Sequence, residues 1–536
     1  MRVIGNDTSI PRQTVKVASG TVTSGSPVIV NADGTVSSVA TSSVSQSNGS
    51  QVELINDGNN GVTMHKIVYN PHHKVCLAVY RKYDGYLYGC RVSVTNGTTI
   101  SKGTEHVLFS EHVVRGDTVC LIYDGHSKCW VLGWTKETSN HDYGYIRSIG
   151  FSEGANDIFI KHGIRNVDGN PMHMFRIASN HKGQIVSVYE NVGNGYGYAQ
   201  VTPINPDGSV ITGSGTAVAF QGSNPTEGIT LIYEPNCDRF VVFYNQFSSG
   251  SKRCKVFRVS GNAISMADHT SNEFDSNAGS TGLNHADAVY DPVHKCIVYT
   301  YVSANTARGA VVEVIRKTSS SDDTWGSVVI DSNSSTATNN WANTLVTHHA
   351  SCFDKSTGKV VLVYPYGGSG SGGGLNYQMM YKEGSVTNLN STSDQAQIGM
   401  SWSEGANTHT GVVSNYQNNL IPELTYDEEN KCVVFIYGGN FNQNATNHPA
   451  TVKAYIFAST QTNLTSGNYI GIAKNSASNG ENVTVSTQGS IATNLSGLTV
   501  GKEHYIQNNG TLSTTVADPS VIAGTALSAT SLLVKG

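Results

Sequence analysis

The sequence contains few charged residues. Asp, Glu, Lys and Arg supply 14% of its 536 residues, whereas an average soluble protein has about 25%. The formal net charge is −5, and the 34 Lys and Arg residues are spread thinly along the chain. Proteins that bind nucleic acid or anionic membranes concentrate basic residues on one surface. We therefore expect no nucleic-acid partner, and the low charge also excludes a coiled coil and a charged tail.

The sequence also lacks long hydrophobic runs. The longest, such as residues 432–437, have six residues, whereas a membrane-spanning helix needs roughly 20. Residues 1–7 lack the apolar stretch of about 7 to 15 residues that a secretory signal requires. These absences predict that the chain does not insert into a membrane and that it folds in a cytoplasm.

Disulfide and metal motifs are missing as well. The nine cysteines are an odd number, and Cys129, Cys296 and Cys432 each follow a lysine inside a strand-like run. This setting is typical of small buried hydrophobic side chains rather than of a disulfide framework. Calcium loops of the Asp-x-Asp-x-Asp-Gly type are absent too. We expect free thiols, no bound metal and no cofactor.

What the sequence does contain is a hairpin pattern that recurs seven times. Its clearest form is a tyrosine, then Asp or Asn, then a short turn with a lysine, then a strand rich in β-branched and aromatic residues. The units begin at Tyr69, Tyr123, Ile177, Tyr233, Tyr290, Phe353 and Tyr426. Each start lies 54 to 73 residues after the one before it. A third strand follows each hairpin, and a weaker fourth strand follows the third in every unit except the seventh.

Four antiparallel strands repeated in this way are typical of a β-propeller blade. The sequence therefore predicts an all-β fold with a seven-bladed β-propeller over residues 50–460. An open array or a β-helix is the alternative. A closed ring leaves no unpaired edge, so we expect residues 51–55 to pair with residues 452–457.

The two flanks contain short strands separated by Gly and Asn-Gly turns. Residues 1–49 are too few to hold a core alone, and residues 461–536 form a similar series of strands. We predict that both flanks build one small β-barrel or sandwich into which the propeller is inserted.

The flanks and the repeated hairpin carry a resemblance. The segments concerned are residues 18–22, 27–36, 496–501, 508–515 and 523–528. They are similar to virion and tail-fibre proteins of marine and cyanobacterial bacteriophages, here with an inserted β-propeller. The resemblance implies a structural protein of the virion, made in the host cytoplasm and exposed on the released particle. It further implies a tail fibre or appendage that attaches to a host-surface glycan or receptor and contacts other virion proteins.

Two further functions remain open from the sequence. One is a virion-associated glycan depolymerase, and the other is a purely architectural capsid or tail decoration protein. Sialidase propellers carry repeated Ser-x-Asp-x-Gly-x-Thr-Trp turns, of which residues 320–325 are a single shortened form without the glycine. We therefore expect a protein that is not an enzyme. Because fibres and decorations are usually symmetric assemblies, we also expect a homo-oligomer.

Aromatic residues on the loop face of the propeller, most of them tyrosines in the loops between second and third strands, are the candidate ligand-binding residues. Tyrosine combines a flat apolar face with a polar tip, which suits sugar rings. The candidates are Tyr83, Tyr86, Tyr88, Tyr143, Tyr145, Tyr196, Tyr198 and Trp341. The alternative interpretation is that Tyr-x-Tyr is only the outward-facing half of an alternating strand.

Histidines form a second set of candidates. Five of them stand four or five residues before the start of a hairpin unit: His65, His173, His285, His348 and His349. This position predicts a location at the mouth of the central channel, where imidazoles can sense pH. No His-x-His or Glu-x-x-His spacing supports a metal site, so a solvated channel lining is the favoured interpretation.

Overall fold

The structure is a computed structural model in which most of the chain can be described. The described residues are 13–54, 64–82, 84–111, 118–138, 141–167, 169–211, 215–222, 226–246, 251–266, 272–275, 286–303, 306–316, 325–331, 340–342, 349–366, 377–387, 399–402, 408–414, 422–438, 451–457, 459–517 and 519–535. The chain divides into two compact units, Gln46–Phe457 and the joined flanks Met1–Ser45 and Ala458–Gly536. Within the described ranges, no helix has the length and hydrophobicity of a membrane span.

The strands of the amino-terminal flank come first in the chain. They are β1 (Gln13–Val17), β2 (Pro27–Val30), β3 (Val36–Ser38) and β4 (Thr41–Val44). The next strand, β5 (Ser47–Glu53), already belongs to the larger unit. The sequence placed the boundaries at 49 and 460, whereas the division falls after Ser45 and after Phe457.

The described residues of the larger unit form seven antiparallel sheets, which we number as blades in chain order. Blade 1 contains β6 (Met64–Asn70), β7 (Val75–Arg81), β8 (Leu87–Thr95), β9 (Thr99–Lys102) and β10 (His106–Phe109). Blade 2 contains β11 (Cys120–Asp124), β12 (Cys129–Thr138), β13 (His141–Ser152), β14 (Asp157–Ile160) and β15 (Arg165–Asn166). Blade 3 contains β16 (Met172–Ser179), β17 (Gln184–Asn191), β18 (Gly197–Pro203) and β19 (Val218–Gln221).

The remaining blades follow the same order of strands. Blade 4 contains β20 (Thr226–Glu234), β21 (Arg239–Gln246), β22 (Ser251–Ser260), β23 (Ala263–Ser265) and β24 (Asn272–Asp275). Blade 5 contains β25 (Ala286–Asp291), β26 (Cys296–Ser303), β27 (Thr306–Arg316), β28 (Trp325–Asp331) and β29 (Asn340–Ala342). Blade 6 contains β30 (Ala350–Asp354), β31 (Lys359–Tyr366), β32 (Tyr377–Thr387), β33 (Gly399–Trp402) and β34 (Thr408–Ser414). Blade 7 contains β35 (Glu423–Asp427), β36 (Cys432–Tyr437), β37 (Thr451–Ile456) and, from the start of the unit, β5.

The blades are joined through their first strands. The first strand of each blade contacts the first strands of the blades before and after it, and β35 contacts β6. The outer strand of blade 7 comes from the other end of the unit, because Val52 of β5 lies opposite Val452 of β37. The predicted pairing of residues 51–55 with residues 452–457 is confirmed for Gln51 and Val52, but the paired strand is Ser47–Glu53, and residue 55 lies outside the described residues. The prediction of an all-β propeller fold is confirmed.

Apolar side chains fill the space between neighbouring blades. Leu77 and Val79 of blade 1, for example, belong to the same buried cluster as Trp130 and Leu132 of blade 2. Both faces of the second strands are covered by neighbouring blades. This explains why the sequence of such a strand is a continuous apolar run rather than an alternation of apolar and polar residues. Complete burial of one such side chain contributes about 1.5–3 kcal/mol.

A buried polar residue caps the turn after the first strand in each of these blades. Its side-chain oxygen accepts backbone N–H groups of the turn, which would otherwise lack a partner. The seven capping residues are Asn70, Asp124, Asn180, Glu234, Asp291, Asp354 and Asp427. In blade 3 the cap comes three residues after Ile177 rather than directly after it, so this blade's repeat was aligned two residues too early.

The lysine of the repeat stands at a backbone position with positive φ. The residue four positions after the cap has φ between 52° and 67° in six blades, at Lys74, Lys128, Asp238, Lys295, Gly358 and Lys431. A residue in this left-handed conformation reverses the chain so that the second strand can pair with the first. The Tyr-Asp-x-x-x-Lys pattern is therefore a turn signal.

The flanking unit consists of short strands from both ends of the chain. Its carboxy-terminal strands are β38 (Ser459–Thr462), β39 (Tyr469–Ala473), β40 (Asn482–Ser486), β41 (Ile491–Ala492), β42 (Glu503–Ile506), β43 (Leu512–Ser513), β44 (Ile522–Ser528) and β45 (Ser531–Val534). One sheet has the order β1-β40-β39-β2-β3, the other has the order β41-β45-β44-β42-β43, and β38 pairs with β4. The predicted sharing of strands between the flanks is confirmed in the first sheet.

Candidate functional site

Four charged side chains occupy the same position in four of the first strands. Each stands four residues before the cap of its blade: Lys66 in blade 1, Arg176 in blade 3, Asp287 in blade 5 and Glu423 in blade 7. Because the first strands surround the propeller axis, equal positions lie at equal height along that axis. We call these four side chains the axial cluster.

Electrostatic interactions show that the members of the axial cluster face one another. Lys66 and Glu423 form an ion pair between neighbouring blades. Burial raises the pKa of the Glu423 carboxyl; Lys66 lowers this pKa, Asp287 raises it further and Arg176 lowers it. The blades of Asp287 and Arg176 do not adjoin blade 7, so these side chains act on Glu423 across the ring and not along one sheet.

Blade 2 supports the same arrangement. Its residue four positions before the cap is Cys120, and burial raises the pKa of this thiol, while Arg176 and Lys66 lower it. Lys66, Cys120 and Arg176 therefore follow one another around the axis in blades 1, 2 and 3. The guanidinium of Arg176 is held in place by a hydrogen bond of 2.9 Å from Nη1 to the carbonyl oxygen of Phe175.

The carboxylate of Asp287 is fixed by three hydrogen bonds. Its Oδ2 accepts the backbone N–H of Ser351 at 2.7 Å and the Ser351 hydroxyl at 2.9 Å. Its Oδ1 accepts the backbone N–H of Ala288 at 2.9 Å. Bonds from backbone donors orient a carboxylate without the entropy cost of ordering another long side chain.

The axial cluster is partly open to solvent. The side chains of Lys66 and Glu423 are 32% and 24% exposed. Two residues further along the first strands stand half-buried aliphatic side chains in four blades, namely Val68, Ile122, Ile232 and Val289, whereas blade 7 has Thr425 at this position. A layer of charge that solvent can reach is thus backed by a mainly apolar layer, which is a typical arrangement of a ligand site.

Three of the predicted tyrosines pack on aromatic residues of the adjacent strand. Tyr88 stacks on Tyr80 with ring centroids 6.3 Å apart. Tyr198 stacks on Tyr189 at 6.1 Å, and Tyr145 stacks on Trp134 at 6.0 Å. Tyr80, Tyr189 and Trp134 are fully buried, so one face of each of the three rings is covered.

The other predicted aromatic residues have different surroundings. Tyr86 and Tyr196 are half-buried and directly precede β8 and β18, and Tyr143 is half-buried inside β13, opposite Lys136. Tyr83 lies outside the described residues. Trp341 lies in β29, and the surroundings of its side chain are outside the described part as well.

The predicted histidines do not form one channel mouth. His65 and His349 are only 2% and 7% exposed, so the prediction that they line a solvated channel is wrong, because both are packed between blades. The ring of His173 is half-buried, with Nε2 3.7 Å from Asp142 Oδ2 and Nδ1 3.8 Å from Glu190 Oε2. His285 and His348 lie outside the described residues. In the described part of the chain, no group of three or more His, Cys, Asp or Glu side chains is arranged to hold a metal ion.

Comparisons with known proteins find similarity in structure. No protein-family model and no curated protein matches the chain. Among solved structures, the Dos1 propeller is 9% identical with a TM-score of 0.39, over 77% of this chain and 95% of that chain. The intramolecular trans-sialidase from Ruminococcus gnavus is 9% identical with a TM-score of 0.36, over 76% of this chain and 94% of that chain. The GH93 α-L-arabinofuranosidase of Fusarium graminearum is 8% identical with a TM-score of 0.36, over 76% of this chain and 97% of that chain.

These similarities concern the fold alone, and they carry no argument about substrate. They do correct one expectation from the sequence, namely that the protein is not an enzyme. Two of the three propellers are glycan-processing enzymes by name, so this fold gives no reason to exclude enzymatic activity.

Proposed function

We propose that the propeller binds a carbohydrate at the axial cluster, and that the ligand is an acidic glycan. The observation that carries this proposal is the meeting of two cations and two carboxylates from four separate blades. Arginine and lysine bind the carboxylate of an acidic sugar, with arginine able to do so through two parallel hydrogen bonds. Asp287 and Glu423 accept hydrogen bonds from sugar hydroxyls.

The resemblance of the flanks to bacteriophage virion proteins supplies the setting of this proposal. In that setting the chain is part of a tail fibre or appendage, assembles with other virion proteins as a homo-oligomer, and attaches to a glycan of the host surface. The low charge of the chain agrees with a partner that is recognised at a local site rather than through a broad charged surface.

Affinity electrophoresis of the full chain tests the binding. Native gels that contain polygalacturonate, alginate or polysialic acid should retard the protein, and Arg176→Gln should abolish most of the retardation. Lys355→Gln is the matched control, because Lys355 forms an ion pair with Glu428 in the turns after the first strands of blades 6 and 7, outside the axial cluster. Equal mobility in all gels, or equal retardation of the Arg176 variant, would contradict the proposal.

A second candidate function is hydrolysis of the bound glycan. It is favoured by one observation: burial and the carboxylate of Asp287 both raise the pKa of the Glu423 carboxyl. Glycoside hydrolysis uses such a pair, in which the carboxyl group with the raised pKa holds a proton and donates it to the leaving oxygen.

Release of reducing ends distinguishes hydrolysis from binding. If the protein hydrolyses the glycan, incubation with a polysaccharide that retards it produces reducing ends, and Glu423→Gln and Asp287→Asn each stop this release. If the unsubstituted protein is retarded but releases none, hydrolysis is excluded and binding stands.

A further inference from the structure

Two loops of the propeller share a five-residue pattern and the same internal hydrogen bonds. Both loops connect the second and third strands of their blades. The loop of blade 1 reads Asp84-Gly85-Tyr86-Leu87-Tyr88, and the loop of blade 3 reads Asn194-Gly195-Tyr196-Gly197-Tyr198. We call them the tyrosine loops.

The first residue of each tyrosine loop binds both of its tyrosines. In blade 1, Asp84 Oδ1 accepts the backbone N–H of Tyr86 at 2.9 Å, and the Tyr88 hydroxyl donates to Asp84 Oδ2 at 2.6 Å. In blade 3, Asn194 Oδ1 accepts the backbone N–H of Tyr196 at 3.0 Å, and Asn194 Nδ2 donates to the Tyr198 hydroxyl at 3.1 Å. The second bond reverses its direction because an amide nitrogen can donate and a carboxylate oxygen cannot.

Backbone geometry and stacking make these loops rigid. Gly85 and Gly195 have φ of 85° and 70°, a conformation that favours glycine. The second tyrosine of each loop stacks on a buried tyrosine of the preceding strand, Tyr80 or Tyr189. The first tyrosine is half-buried and lies two residues earlier, hence on the same side of the extended chain as the second.

The propeller fold does not require this arrangement. In blade 2 the strands β12 and β13 continue further, and Tyr143 is a paired strand residue opposite Lys136. The same connection is therefore made without the five-residue pattern. Blades 1 and 3 thus share a feature that blade 2 lacks, namely a loop that places a half-buried tyrosine next to an exposed Asp or Asn.

We infer that the tyrosine loops are two equivalent carbohydrate sites, distinct from the axial cluster, each of which stacks a neutral sugar ring on Tyr86 or Tyr196. A tyrosine held in one orientation stacks on a pyranose ring at little conformational cost, and the exposed Asp84 or Asn194 hydrogen-bonds a hydroxyl group. Two like sites on one propeller bind a repeating polysaccharide more tightly than either does alone. The inference rests on the proposed function only for the class of ligand.

Affinity electrophoresis with neutral polymers tests the inference on the full chain. Gels that contain dextran, galactomannan or yeast mannan should retard the unsubstituted protein in at least one case. Tyr86→Ala and Tyr196→Ala should each weaken the retardation by about tenfold or more in apparent affinity, because one site of a linked pair is lost. The double variant should migrate as it does without polymer.

Three further variants make the outcome specific. Tyr86→Phe with Tyr196→Phe keeps the ring faces and should retain binding within about threefold. Tyr505→Ala removes a half-buried tyrosine of the flanking unit and should change nothing. Arg176→Gln should also leave these mobilities unchanged, so failure of the axial proposal and failure of this inference give different results.

The inference is overturned if none of the neutral polymers retards the unsubstituted protein, or if the double alanine variant is retarded as strongly as the unsubstituted protein. Circular dichroism and thermal unfolding of each variant separate loss of a site from loss of the fold.

Discussion

The imidazole Nε2 of His349 lies 3.0 Å from the hydroxyl oxygen of Thr300 and 3.2 Å from its carbonyl oxygen. Burial lowers the pKa of His349, while Asp287 and the bond to the Thr300 carbonyl oxygen raise it. The net result is a folded-state pKa below the ordinary value. His349 thus connects the second strand of blade 5 to blade 6 as a neutral ring.

This lowered pKa predicts a loss of stability in acid. An unfolded histidine takes up a proton near pH 6.5, whereas folded His349 does so only at lower pH. The unfolded state therefore gains protons first, and stability falls as the pH drops below about 6.5. His349→Gln keeps a side-chain N–H donor and cannot titrate, so its midpoint of thermal unfolding should fall less between pH 7.5 and pH 5 than that of the unsubstituted protein. Parallel pH profiles for the two proteins would show that His349 is not responsible.

The cap of blade 7 gives a second prediction. Asp427 is 1% exposed, and its Oδ1 accepts the backbone N–H groups of Glu429 and Asn430, each at 3.0 Å. Removing the acceptor takes these hydrogen bonds from the turn and leaves a cavity at a buried position, so Asp427→Ala should lower the free energy of unfolding by about 1–3 kcal/mol.

The conservative variant Asp427→Asn should be far less harmful. Burial raises the pKa of Asp427, which means that the charge itself is unfavourable at this position. In blade 1 an amide fills the same role, since Asn70 Oδ1 accepts the N–H groups of His72 and His73. Urea unfolding of both variants measures the difference, and equal losses for alanine and asparagine would contradict the assigned role.

Positive φ at the end of the turn gives a third prediction. Gly358 has φ of 67°, and no atom lies within 4 Å of the position that a Cβ would take. A β-branched residue is strained there whatever the space, so Gly358→Val should cost about 2 kcal/mol. Gly358→Asn should cost less than about 1 kcal/mol, because asparagine tolerates this conformation.

Gly154 provides the control for this strain. It is also surrounded by open space, but its φ does not lie in the positive region. Gly154→Val should therefore unfold at nearly the same urea concentration as the unsubstituted protein. A loss as large as that of Gly358→Val would show that the effect comes from the added side chain and not from the backbone.

The sequence predicted the elements that local chemistry determines. The capping Asp or Asn, the turn and the apolar second strand lie within about ten residues of one another, so a repeat such as Tyr426–Tyr437 shows the whole hairpin. The pairing of residues 51–55 with residues 452–457 followed from the need to close the edge, although these segments are about 400 residues apart. Blade 3 was aligned incorrectly because its cap, Asn180, lies in a shorter turn.

The axial cluster was missed because its members are distant in sequence and unlike one another. Lys66, Arg176 and Glu423 share no motif. The fold brings them together because each stands four residues before the cap of its blade. Counting back four residues from each cap would have found charged side chains in four blades. The histidine prediction failed because it used only the distance of each histidine from the hairpin. It ignored the alternation of side chains along the strand, which turns His65 away from the axis and into the core.

The closure of the propeller can be tested by a cross-link. Val52 and Val452 lie directly opposite each other in β5 and β37, and cysteines at such a pair are close enough to form a disulfide. Val52→Cys with Val452→Cys should cross-link under mild oxidation, and the bond should raise the midpoint of thermal unfolding, because closing so long a loop contributes up to about 4–5 kcal/mol. The control pair is Val52→Cys with Thr451→Cys, which is offset by one residue and points to the other face of the sheet. Non-reducing electrophoresis and mass spectrometry detect the bond; cross-linking of the control pair alone, or of neither pair, would show that the strands pair in another register or not at all.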